Sequence, residues 1–79
     1  MNGVFIEYHK NGKIKYVGEY LKGEKNGFGK EYHVNGVLRF EGNYLNGKRH
    51  GKEKEYNDKG ELKFEGEFIK GKKNENKGK

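Results

Sequence analysis

Seventy-nine residues, 38% charged and 29% hydrophobic, allow one small domain with a thin core. The chain holds no Ser, Thr or Cys, which excludes their nucleophilic chemistry, disulfides, thiolate metal sites and a Gly-Lys-Ser/Thr phosphate loop. The formal charge of +6 permits an acidic partner without demanding one. No apolar run approaches the roughly 18 residues of a membrane-spanning helix. No signal peptide is visible at Met1-Asn2-Gly3-Val4-Phe5, so the expected location is cytoplasmic by default.

In chain order the sequence reads as one unit written three times, over residues 3–26, 27–50 and 51–74, with a period of 24 and no insertion. Six positions recur in all three copies: the opening Gly, a Glu-Tyr pair and three further glycines. Each copy opens on a weak strand, with Val4, Ile6 and Tyr8 on one parity, then Phe28, Lys30 and Tyr32, then Lys52, Lys54 and Tyr56. A loop follows at Lys10-Asn11-Gly12, Val34-Asn35-Gly36 and Asp58-Lys59-Gly60. Three-residue hairpin loops commonly end on a residue at positive φ, which Gly adopts freely. The second strand alternates more strongly. Ile14, Tyr16, Gly18 and Tyr20 share a parity, as do Leu38, Phe40, Gly42 and Tyr44, and Leu62, Phe64, Gly66 and Phe68. The joining segments, Leu21 to Gly27 and Leu45 to Gly51, carry turn and edge residues. Glu75 to Lys79 reads as a charged, disordered tail.

A three-residue loop with unbroken pairing sets Glu7 opposite Lys15, Glu31 opposite Arg39 and Glu55 opposite Lys63, all opposite charges. It also sets Phe5 opposite Val17, Gly42 opposite Phe28 and Glu53 opposite Glu65, the last unfavourable. The expected fold is all-β: stacked antiparallel hairpins of about six strands in one elongated, curved single sheet. Tyr8, Tyr16, Tyr20, Phe28, Tyr32, Phe40, Tyr44, Tyr56, Phe64 and Phe68 would share one face. One sheet offers one layer where a domain normally packs two. That face should therefore be covered by curling, by self-association or by a partner.

A unit reading Glu31-Tyr32 through Gly36, then Leu38, Phe40-Glu41-Gly42, Tyr44 and Asn46-Gly47-Lys48-Arg49-His50-Gly51, resembles the MORN repeat. It is closest to the shorter variant of bacterial proteins, and it lacks the Trp of the better-known form. The resemblance covers residues 3–74. It implies a half-pipe of hairpins used for scaffolding, protein contacts or membrane association, and it extends to YwqK-type antitoxin components.

Two candidate surfaces follow. Tyr16, Tyr20, Phe40, Tyr44, Phe64 and Phe68 form a candidate partner-facing aromatic groove. Lys22, Lys25, Lys48, Arg49, Lys70, Lys72 and Lys73 form a candidate edge for an anionic partner. The expected partner is another protein or a second copy, with an anionic membrane surface as the alternative. Nucleic acid is disfavoured, and no small-molecule substrate is indicated. His9 and His33 share a repeat position but lack the converging ligands of a metal site. Glu7, Glu31 and Glu55 recur in every copy, as a structural unit does, rather than flanking one cleft as catalytic carboxylates do. Gly27-Phe28-Gly29 begins a phosphate-loop pattern with no helix after it. No catalytic residue, metal or cofactor is expected.

Overall fold

The alternating pattern folds into strands throughout residues 2–74, which are those that the structure, a computed structural model, describes. The tail at 75–79 lies outside them. Seven strands run β1 (Gly3–Tyr8), β2 (Ile14–Leu21), β3 (Glu24–Tyr32), β4 (Leu38–Leu45), β5 (Lys48–Tyr56), β6 (Leu62–Ile69) and β7 (Lys72–Asn74). They form one antiparallel sheet in sequence order. Its shortest extent, 13 Å against 42 and 33 Å, leaves it one layer thick.

Two kinds of turn alternate between the two ends of the sheet. At one end the three-residue loop forms as expected. His9 N–H donates to Lys13 O at 2.8 Å, Gly12 N–H donates to His9 O at 3.0 Å, and Gly12 takes φ +89°. Loops two and three repeat this geometry at Gly36 and Gly60. At the other end the joining segments are shorter than the sequence suggests. Lys22-Gly23, Asn46-Gly47 and Lys70-Gly71 each place both residues at positive φ, as a two-residue type I′ hairpin requires. The residues around them are therefore strand, and β7 is added to the expected six.

The expected register holds only at the mouth of each loop. Tyr8 pairs with Ile14, Tyr32 with Leu38 and Tyr56 with Leu62, so each Tyr shares a face with its Ile or Leu. One residue further on, the pairing shifts. Glu7 faces Tyr16, Glu31 faces Phe40 and Glu55 faces Phe64, leaving Lys15, Arg39 and Lys63 as bulge residues. The three Glu–Lys/Arg pairs expected from unbroken pairing do not form. Phe5 lies opposite Gly18 rather than Val17, and Glu53 opposite Gly66 rather than Glu65.

A one-residue bulge moves every later side chain to the other face. Tyr8, Phe28, Tyr32 and Tyr56 consequently leave the aromatic face, and Phe5 joins it. The shift also brings Gly42 opposite Gly29, not Phe28, while Gly29 faces Gly18 on its other side. These three glycines clear a trough across β2, β3 and β4. The rings of Tyr16 and Phe40 lie in it, 1% and 0% exposed.

Glu53 no longer opposes an acid on its partner strand. On the face away from the rings, Lys30, Glu41, Lys54 and Glu65 pair in sequence across four strands as alternating charges.

Candidate functional site

The six residues of the aromatic groove do come together. Tyr16, Phe40, Tyr44 and Phe68 are buried, with Tyr20 and Phe64 packed against them. Rings meet edge to face. Centroids are 6.0 Å apart for Tyr16–Tyr20, 5.8 Å for Tyr16–Tyr44 and 5.7 Å for Phe40–Tyr44. Phe5, which the unbroken register sets on the polar face, closes the row on Tyr20 at 5.6 Å. Such pairs contribute about 0.5–1.5 kcal/mol beyond their burial.

Three side chains of the sheet itself lie over these rings, a cover that the sequence reading, which expected curling, self-association or a partner, did not include. Lys25, Arg49 and Lys73 occupy one repeat position and fold over the rings. Lys25 Nζ lies 4.2 Å from the Tyr16 centroid and 5.3 Å from that of Tyr44. The Arg49 guanidinium lies 3.9 Å from Phe40 and 5.5 Å from Phe68. Lys73 Nζ lies 4.5 Å from Phe64. Lys25 and Arg49 each span a ring of their own copy and one of the next. A cation over a ring face is attracted by the ring quadrupole, and its aliphatic stem covers apolar surface.

The recurrent glutamates complete this layer. Arg49 pairs with Glu31 at 3.2 Å and Glu55 at 3.4 Å, and Lys73 pairs with Glu55 at 3.5 Å. Tyr44 OH donates to Glu31, and Tyr20 OH donates to Glu7 at 2.7 Å. Burial pushes the Tyr16 hydroxyl up to about 12, and the neighbouring Tyr20 and Glu31 add to that.

Glu53 is the exception to this pairing. It is 4% exposed, and both its oxygens lack a hydrogen-bond partner among the described residues. Burial, then the adjacent Glu55 carboxylate, pushes its pKa to about 7 from 4.5. The folded state therefore holds this proton more tightly than the unfolded chain does. The associated stability is fully present below about pH 4.5 and is lost as pH rises through about 7. Glu53→Gln should abolish that loss. Urea unfolding at about pH 5 and about pH 8 should show the variant gaining about 2–3 kcal/mol on the native chain between the two. A difference that does not change with pH would refute a buried, protonated Glu53.

The basic edge does not hold together as one surface. Lys25, Arg49 and Lys73 are committed to the rings. Lys22, Lys48, Lys70 and Lys72 are exposed along the end formed by the two-residue turns. These turns are capped from one copy earlier. Asn2 Oδ1 accepts from Lys22 N at 2.7 Å, Asn26 Oδ1 from Asn46 N at 3.1 Å and His50 Nδ1 from Lys70 N at 3.3 Å.

His9 and His33 work at the opposite end. His9 Nε2 donates to Tyr32 O at 2.9 Å and His33 Nε2 to Tyr56 O at 2.8 Å. Asn11 and Asn35 reach forward likewise to Val34 O and Asp58 O. These side chains tie each hairpin to the next. Among the described residues no group of three His, Asp or Glu is placed to hold a metal ion.

Sequence reasoning missed the surface on the other face. Val4, Ile6, Tyr8, Ile14 and Phe28 are all exposed there, around the half-buried Val17. The Ile6–Val17 and Tyr8–Ile14 pairs make the patch continuous between β1 and β2. The signal was present in the copy-to-copy differences. The second and fourth positions of a copy read Val4 and Ile6 in the first, Phe28 and Lys30 in the second, and Lys52 and Lys54 in the third. Towards β6 the same face is charged, with a crevice of about 510 Å³ bordered by Phe28, Glu41, Lys52, Lys54, Glu65 and Glu67.

The family model of the MORN repeat variant matches residues 1–22 and 49–70, and that of the MORN repeat matches 16–38 and 40–52. No curated protein and no solved structure matches the chain. MORN repeats are in general modules of scaffolds that bind proteins or membranes, and the module itself is non-catalytic. With its hairpins in strict phase and over half of its residues matched by the variant alone, this chain belongs to the MORN repeat family.

Proposed function

We propose that the chain is a non-catalytic scaffold whose protein partner docks on the apolar patch of β1, β2 and β3. The observation that carries this reading is the exposure of Val4 (67%), Tyr8 (60%), Ile6 (48%) and Phe28 (45%) on one face. On the other face Tyr16, Phe40, Tyr44 and Phe68 are buried beneath side chains of the sheet itself. Contiguous apolar surface on a small domain marks an interaction site more often than scattered single residues do.

Val17→Glu, opposite Lys30, and Phe28→Lys place charge in the patch on strands that are paired on both sides. Immobilised native chain should retain a partner at fixed stoichiometry, and both variants should lose it while keeping their unfolding midpoints. Retention by both variants would refute docking on this patch. The antitoxin-like role implied by the family resemblance is one form of this reading, with a toxin as the partner. Co-expression should then relieve the toxin's growth defect, and Phe28→Lys should not.

The turn rim supports a second reading, attachment to an anionic membrane surface. Lys22, Lys48, Lys70 and Lys72 stand exposed at one end of the sheet without the ring contacts of Lys25, Arg49 and Lys73. Each basic side chain near such a surface contributes about 1 kcal/mol, so four give weak, salt-sensitive binding. Binding to phosphatidylserine vesicles at low salt, lost when these four are changed to Glu, is the expected result for this reading. Equal binding by native chain and variant would exclude the rim.

A further inference from the structure

We propose that two copies of this chain pair antiparallel along β1, with Ile6 of each on the twofold axis. This goes beyond binding of a foreign partner, because it uses the strand's backbone edge rather than the face of the sheet. All six residues of β1 are exposed, and its outer edge has no partner among the described residues. That edge is the counterpart of the β3 and β5 edges, which each accept the second strand of the preceding copy. It is therefore a strand shaped for pairing. Soluble proteins usually protect such an edge with lysines, proline or bulges. The outer part of β1 has none of these. Its one charge, Glu7, lies on the aromatic face and accepts the hydrogen bond of Tyr20.

The register chooses the occupant. Head-to-tail stacking would add β1 to β6 of another copy, as β5 adds to β4. The pairing of Glu41 with Lys54 would then become Glu65 against Ile6, a carboxylate against an alkyl chain. β6 also already carries β7 on that edge, at Glu67, Phe68 and Ile69.

Self-pairing centred on Ile6 has no such mismatch. Val4 meets the partner's Tyr8, apolar against apolar. Phe5 meets the partner's Glu7, which repeats the ring-to-glutamate pairing of Tyr16 with Glu31 and Phe40 with Glu55. The apolar patches of the two copies would become continuous across the axis.

The chain contains no cysteine, so single-cysteine variants report on this register directly. Opposed residues of an antiparallel pair have Cα atoms about 4.5–5.5 Å apart, within disulfide reach. Under mild oxidation Ile6→Cys should form a covalent dimer, and Val4→Cys, which faces Tyr8, should not. Sedimentation over a roughly hundredfold concentration series should show the native chain passing from monomer to dimer. Ile6→Lys should stay monomeric and melt where the native chain does at concentrations that keep the native chain monomeric, since its side chain is solvent-exposed. A native chain that is monomeric throughout, equal crosslinking of the two cysteine variants, or a dimer that survives Ile6→Lys would each overturn the proposal. Loss of partner binding in Phe28→Lys leaves this result untouched, so the two readings fail separately.

Discussion

Gly42→Val should be severely damaging, lowering stability by about 3 kcal/mol. A Cβ at position 42 would lie 2.6 Å from Glu53 Cβ and 3.0 Å from both the Lys52 carbonyl and Phe40 Cζ. The Phe40 ring is fully buried and cannot swing away, and the carbonyl belongs to the paired β5 strand. Valine adds two further methyls to a space already too small for the first carbon. For a domain of this size, whose total stability is on the order of 5 kcal/mol, most of the folded population would be lost. Glu41→Val is the control. It removes a 3.2 Å hydrogen bond from Tyr56 and the carboxylate opposite Lys30 and Lys54, on a solvated face. It should cost under about 1 kcal/mol. Equal urea midpoints for the two variants would refute the trough as the reason for glycine here.

Arg49→Ala should follow, at about 2–4 kcal/mol. The guanidinium holds Glu31 and Glu55 together, lies over Phe40 and reaches Phe68 of the next copy. Its removal takes the shared cation from two half-buried carboxylates, leaving Glu31 only Tyr44 and Glu55 only Lys73, and uncovers two rings. Arg49→Lys should lie between, because an ammonium keeps the charge but cannot fork to two carboxylates as a guanidinium does. Chemical denaturation of the three proteins at neutral pH gives the order. If Lys restores full stability, charge alone is sufficient and the planar geometry contributes nothing. The same variants should expose Tyr and Phe to solvent in the folded state, seen as increased binding of an apolar dye. Unchanged dye binding in folded Arg49→Ala would mean that the rings do not depend on this cover.

The sequence made the repeat, its phase and its hairpins legible because each rests on local chemistry. Gly at the loop end, two-residue alternation and the 24-residue recurrence are all properties of short segments. The face assignment was not legible. Parity within a strand assumes unbroken pairing, and the bulges at Lys15, Arg39 and Lys63 break it without any marker residue such as glycine. Phe5 and the unfavourable Glu53–Glu65 pair are the places where the sequence pointed to the error, the latter replaced by Glu53 opposite Gly66. Phe5 is an aromatic that the unbroken register leaves on the polar face, whereas the shifted register puts it beside Tyr20.

For the candidate surfaces the division is similar. The six groove residues were found from sequence, but their role depends on which long cations fold over them. Lys22, Lys25 and Lys48 are chemically alike in the sequence. Lys25 differs only because the turn and register aim it at Tyr16, while Lys22 sits in the turn at positive φ and points to solvent. The sequence alone determined that this chain is a single-sheet β repeat with no nucleophile of the Ser, Thr or Cys kind. Only the tertiary structure showed that the sheet supplies a cover for its own rings. Side-chain amphipathicity lets Lys and Arg serve as the second layer, and that depends on distances between strands that no local pattern encodes.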